Sequence, residues 1–138
     1  MAAFLVLDAE ALSALANPRE RAVGARRAQA LLVEAARRNA LVRIPSAVLS
    51  EVYRSGRRDA AVDRIVGRAN RVVALDHRTA RIAGGLLGRD GLDSCHAVDA
   101  SVVATAIQLG GAVVATGDPD DLVSLARNHR NVIIQPLA

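Results

Sequence analysis

The sequence predicts an α/β fold built on a mainly parallel sheet of five strands, and three observations carry that expectation. Short apolar runs alternate with longer helical patterns, as β-α-β units require. The runs are rich in aliphatic and β-branched residues and are followed by polar or Pro-containing turns, as buried strands of a parallel sheet are. Asn17-Pro18, Pro45-Ser46, Gly110-Gly111 and Asp118-Pro119 stand where one element should give way to the next.

Taken in order, residues 4–7 (Phe-Leu-Val-Leu) form the first strand, and Asp8 follows at once, placed to cap a helix over 10–16. A longer helical pattern covers 20–38, and the strand 41–44 comes next. Pro45-Ser46 then opens a helix over 47–54, and a further helix covers 58–68. The third strand is expected over 72–75 and a helix over 78–87. Gly84-Gly85-Leu86-Leu87-Gly88 neither follows a strand nor opens a helix, so it reads as close helix packing and not as a phosphate-binding loop. Residues 95–109 are apolar almost all round, the mark of a buried helix. The strand 112–115, a helix over 119–127 with Pro119 as its first residue, and the strand 132–135 complete the chain.

Composition bounds the function. At 138 residues the chain matches one ordinary domain, so residues 1–138 are read as a single unit. No uncharged apolar run approaches the roughly 20 residues needed to span a bilayer. The start Met-Ala-Ala-Phe-Leu-Val-Leu-Asp lacks the basic segment of a signal peptide, and a cytoplasmic location is expected. The single cysteine, Cys95, agrees with a reducing compartment and reads as a small core residue with no catalytic role. Residues 1–89 carry 16 Arg against 8 acids, and residues 90–138 carry 2 Arg against 6 acids. A basic surface of that size suits a polyanion, because each Arg binds phosphate in bidentate fashion. Solvated helix faces account for many of these arginines equally well.

Four acids stand out against this background. Asp8 lies just past the first strand, and in an open parallel sheet ligands bind beyond the carboxyl ends of the strands. Asp118 repeats the arrangement after the strand 112–115, with helix capping as its competing role. Asp120 and Asp121 follow, so the turn gathers three carboxylates that repel one another unless a cation or Arg neutralises some of that charge. Asp99 sits inside the apolar helix, where an unpaired carboxylate is costly and a site is the better explanation. Glu51, in the helix after the second strand, gains weight only from the other three. His77, His96 and His129 are scattered and read as surface or packing residues.

With these pieces in order, the chain resembles the PIN-domain ribonucleases, and among them the VapC-like toxins of type II toxin–antitoxin pairs. The matching segments are Leu5-Val6-Leu7-Asp8, Pro45-Ser46-Ala47-Val48-Leu49-Ser50-Glu51-Val52, Val98-Asp99-Ala100-Ser101-Val102-Val103-Ala104-Thr105-Ala106 and Ala115-Thr116-Gly117-Asp118-Pro119-Asp120-Asp121-Leu122. The resemblance covers essentially the whole chain. It implies a three-layer α/β/α sandwich and an Mg²⁺-dependent endoribonuclease, with Mn²⁺ as the other candidate ion. It also implies an antitoxin partner, an RNA substrate and a homodimer. By position, Asp8 and Asp99 look like the principal metal ligands. Glu51 and Asp118 look like the acids completing the site, Asp121 is the second candidate for the fourth acid, and Thr116 looks like the hydroxyl that orients them.

Hydrolysis of a phosphodiester by hard oxygen ligands and Mg²⁺ needs no Ser, Cys or His nucleophile. Receiver domains and haloacid-dehalogenase-type phosphatases also carry Asp at strand ends, but both lean on a Lys, and all 18 basic residues other than histidine are Arg. The alternative from another class is a catalytically silent PIN-like module that binds RNA or protein. With Phe4 and Tyr53 as the only aromatic residues, base stacking has almost no platform, so recognition of RNA shape and phosphate geometry is expected.

Overall fold

The computed structural model describes residues 3–67 and 71–138. Its strands are β1 (Phe4–Leu7), β2 (Leu41–Pro45), β3 (Val72–Val73), β4 (Ala112–Thr116) and β5 (Val132–Pro136). Its helices are α1 (Ala9–Ala16), α2 (Ala22–Arg37), α3 (Ser46–Val52), α4 (Asp59–Val66), α5 (His77–Asp90), α6 (Ala97–Gln108) and α7 (Pro119–Ala126), with a 3-10 turn at Ser94–His96 before α6. The expected end of the fourth helix at residue 68 lies outside the described residues.

The five strands form one parallel sheet in the order β3-β2-β1-β4-β5. The chain steps outward from β1 to β2 and β3, then returns past β1 to β4 and β5. Since parallel crossovers are right-handed, the reversal sends the helices of the two halves to opposite faces, giving the expected α/β/α layers. α2 packs on β1 and β2 on one side, while α6 and α7 pack on the half that ends in β5. α3 touches both α1 and α6. The direction in which successive strands are added therefore reverses between β1 and β4, and the carboxyl ends of those two strands flank the crevice where such sheets take ligands.

Apolar burial explains the strands. Leu5, Val6 and Leu7 of β1, Val114 of β4 and Ile44 of β2 are all buried, packed against Leu12, Val48, Val103 and Leu122 from the helices. α6 is buried along nearly its whole length, as its composition predicts, and its hydroxyls are satisfied internally: Ser101 donates to the Ala97 carbonyl and Thr105 to that of Ser101, each at 2.8 Å.

Several boundaries differ from expectation for identifiable reasons. β3 stops at Val73 instead of residue 75, because the Leu75 N–H leaves the ladder to donate to the Ser46 hydroxyl at 2.9 Å. α3 ends at Val52 instead of 54: the Asp59 carboxylate accepts the Arg54 and Ser55 N–H groups (3.1 and 2.9 Å), and Ser55 turns to φ 62°. α5 runs to Asp90, beyond the expected 87, and it is Gly91, at φ 64°, that ends it. Gly84, Gly85 and Gly88 are exposed, with open space where a Cβ would stand, so they do not serve close packing within the chain. Cys95 is exposed rather than in the core, because the 3-10 turn lifts it off the buried face that begins at Ala100.

Candidate active site

Strand pairing sets the first element of the site. Leu7 pairs with Ala115, and the Asp8 N–H donates to the Ala115 carbonyl at 3.2 Å, which carries Asp8 to the position beside Thr116. Asp8 Oδ1 accepts the Ala11 N–H at 2.9 Å, so this residue caps α1 at the carboxyl end of β1. Thr116 is fully buried. Its hydroxyl donates to the Asp8 carboxylate, and its Oγ1 accepts the Asp118 N–H at 2.9 Å. One hydroxyl thus ties the ends of both strands together.

Asp118 occupies the N-cap position of α7 but makes no capping bond with its side chain, so the capping role open to it in the sequence is not taken up. The exposed carboxylate is left available. Gly117 is what lets this turn come close to α1, since a Cβ there would stand 2.8 Å from Glu10 Cβ. Glu10 in turn is paired with Arg21.

Mutual repulsion shows that the remaining acids lie close by. Burial pushes Asp8 from 3.8 up to about 6, opposed by the Thr116 hydroxyl and the Ala11 N–H and reinforced by Glu10 and Asp99. Asp99, in the first turn of α6, is raised by burial first and then by Asp121, Glu51 and Asp118, in that order, while His96 works the other way. Asp99 is therefore the hub: it acts on Asp8 and is acted on by Glu51, Asp118 and, more strongly, Asp121.

Asp90 shows how this protein treats a structural acid. Its side chain is 4% exposed, yet Arg89 and Arg127 sit at 3.0 and 2.7 Å and hold its pKa below the usual value. Asp8 and Asp99 are treated the opposite way. Among the described residues, none of Asp8, Glu51, Asp99, Asp118 and Asp121 has an arginine partner, and the basic side chain nearest to them is the His96 imidazole, 3.8 Å from Asp121. Carboxylates crowded together without arginine are suited to a hard divalent cation, so the donor set fits such an ion.

His96 was passed over in the sequence. Its imidazole and the Asp99 and Asp121 carboxylates present donor atoms all within 4.8 Å of one another. The signal available was the three-residue spacing from His96 to Asp99, which places two side chains on one face where a helix begins.

Beyond Glu51 the site opens into a cleft of about 450 Å³ between α1 and α4, lined by Ser13, Asn17, Arg54, Arg57 and Arg58 among others. Arg58 is engaged by Glu20 and Arg54 by backbone carbonyls, while Arg57 is exposed. Asp59 lines the same cleft with its carboxylate taken up by the Arg54 and Ser55 N–H groups, so the guanidinium groups there suit a phosphate.

The PIN domain family model matches residues 5–128. No curated protein matches the chain. Among solved structures, a chain from the crystal structure of VapBC2 from Rickettsia felis, bound to a DNA fragment from their promoter, superposes with a TM-score of 0.67. The alignment covers 96% of this chain and 98% of that one at 17% identity, a likeness of fold.

Proposed function

Because the chain belongs to the PIN-domain family, we propose that it is a divalent-metal-dependent endoribonuclease, VapC-like, acting as the toxin of a toxin–antitoxin pair. The observation that carries the reading is the gathering of Asp8, Glu51, Asp99, Asp118 and Asp121 at the β1/β4 crevice, with the two most buried of them raised in pKa and none neutralised by arginine. Asp8 and Asp99 hold the cation, Mg²⁺ or Mn²⁺. Glu51 and Asp118, with Asp121 beside them, complete its oxygen surroundings. When bound, the ion supplies the charge that neutralises the phosphate and lowers the pKa of water.

The chain's own groups do the rest. The Thr116 hydroxyl and the Ala11 N–H together hold the Asp8 carboxylate in place. Arg54, Arg57 and Arg58 take the phosphates on the far side of Glu51 and orient the strand of RNA across the acids. The antitoxin partner and the homodimer are read from the VapC-like resemblance, which the fold shared with the VapBC2 chain supports. A single PIN-like domain spanning residues 1–138 is part of the same reading. No helix among the described residues is long and apolar enough to cross a membrane.

Asp8→Asn and Asp99→Asn, purified in folded form and assayed for RNA cleavage with Mg²⁺ and with EDTA, test the proposal. Each variant is expected to lose at least about a hundredfold in rate. Undiminished cleavage by either one, or cleavage that survives EDTA, contradicts it.

A further inference from the structure

We infer that His96 is a nitrogen ligand to a cation held by Asp99 and Asp121, and that the site is for this reason tuned to Mn²⁺ over Mg²⁺. The inference deepens the proposed reading and rests on Asp99 acting as a metal ligand.

Three separate pieces of chain meet here. His96 closes the 3-10 turn, Asp99 stands one turn later in α6, and Asp121 comes from the first turn of α7. Their donor atoms lie within 4.8 Å of one another, and all three side chains are partly buried. His96 Nδ1 is 3.8 Å from Asp121 Oδ2, too far for a hydrogen bond, so the imidazole faces the carboxylate without being engaged by it. The turn itself is pinned. The Asp93 carboxylate accepts the Cys95 N–H at 3.0 Å and fixes the residue immediately before His96.

Donor chemistry then selects the ion. Mg²⁺ demands near-octahedral oxygen and sheds water reluctantly, whereas an imidazole beside two carboxylates suits a first-row transition ion. Among such ions Mn²⁺ best tolerates a set dominated by oxygen.

The test uses Mn²⁺ itself as the probe. Pulsed electron paramagnetic resonance of the Mn²⁺-loaded protein is expected to show modulation from a directly coordinated ¹⁴N. That signal should vanish in His96→Asn and persist in His77→Ala and His129→Ala. In calorimetric titrations His96→Asn should weaken Mn²⁺ about tenfold and leave Mg²⁺ nearly unchanged. Mn²⁺ bound without ¹⁴N modulation, or with modulation that survives in His96→Asn, overturns the inference while the carboxylate site and RNA cleavage stand. Modulation that depends on His96 in a protein that cleaves no RNA has the reverse meaning: the ligand assignment holds and the enzymatic reading fails. Should His96→Asn not fold, the wild-type spectrum and the two control variants decide by elimination. Absence of Mn²⁺ binding at millimolar concentration overturns the inference outright.

Discussion

Asp8 is where structure and function pull against each other at the scale of one residue. With a folded pKa of about 6 against 3.8 for the free side chain, the native state holds more protons than the unfolded state between those values. Metal-free stability therefore falls as pH rises from about 4 through about 6, and the loss is complete above it, amounting to about 3 kcal/mol at most. Asp8→Asn keeps a good N-cap and removes the ionisation. Thermal melts in EDTA should find this variant more stable than the native chain by about 1–3 kcal/mol at pH 7.5, an advantage that fades near pH 4. A variant less stable at pH 7.5 counts against the raised pKa. Thr116 acts through Asp8: Thr116→Val takes a donor from that carboxylate and an acceptor from the Asp118 N–H. It should cost about 1–2 kcal/mol and weaken metal binding at pH 6, with Thr116→Ser restoring both. Unchanged metal affinity across the pair of variants would show that the hydroxyl does not orient the site. The acids themselves were legible in the sequence, since Asp after an apolar strand and Asp inside an apolar helix are chemically conspicuous. His96 was not, because its relation to Asp121 exists only once α6 and α7 have packed.

At the scale of elements, turns do the positioning. Gly117 lets the β4–α7 turn come down on the first turn of α1, and a methyl group there meets Glu10 Cβ at 2.8 Å. Gly117→Ala is expected to lower stability by about 1–3 kcal/mol and to slow RNA cleavage as Asp8 and Asp118 move apart. Retained stability and rate together would show that the turn is looser than this geometry implies. The strands of the sheet interior are readable from their apolar runs, for β2, β1 and β4 begin at the expected residues. The edge strand β3 was overextended, because Ala74 and Leu75 look like strand in isolation and the Ser46 hydroxyl that withdraws the Leu75 N–H comes from 29 residues away. The Gly84–Gly88 stretch was misjudged for the opposite reason: small residues imply close approach only if another element approaches, and among the described residues none stands over them.

For the whole molecule, the order β3-β2-β1-β4-β5 explains why one crevice collects acids from so many points along the chain. It also separates charge, with acids at the crevice and arginines lining the cleft beyond Glu51. If that cleft carries RNA, Arg57→Ala should lessen the slope of log affinity against log salt concentration by roughly 0.7–0.9, the value of one lost phosphate contact. Filter binding across a salt series measures it, and an unaltered slope places the RNA elsewhere. Whether the acids of the crevice act as one cation site is read by calorimetric titration with Mn²⁺ at pH 7.5. The native chain should bind Mn²⁺ with clear saturation, and Asp99→Asn should lose that binding by at least about tenfold. Equal binding by the two proteins, or none by the native chain, would contradict a shared cation site.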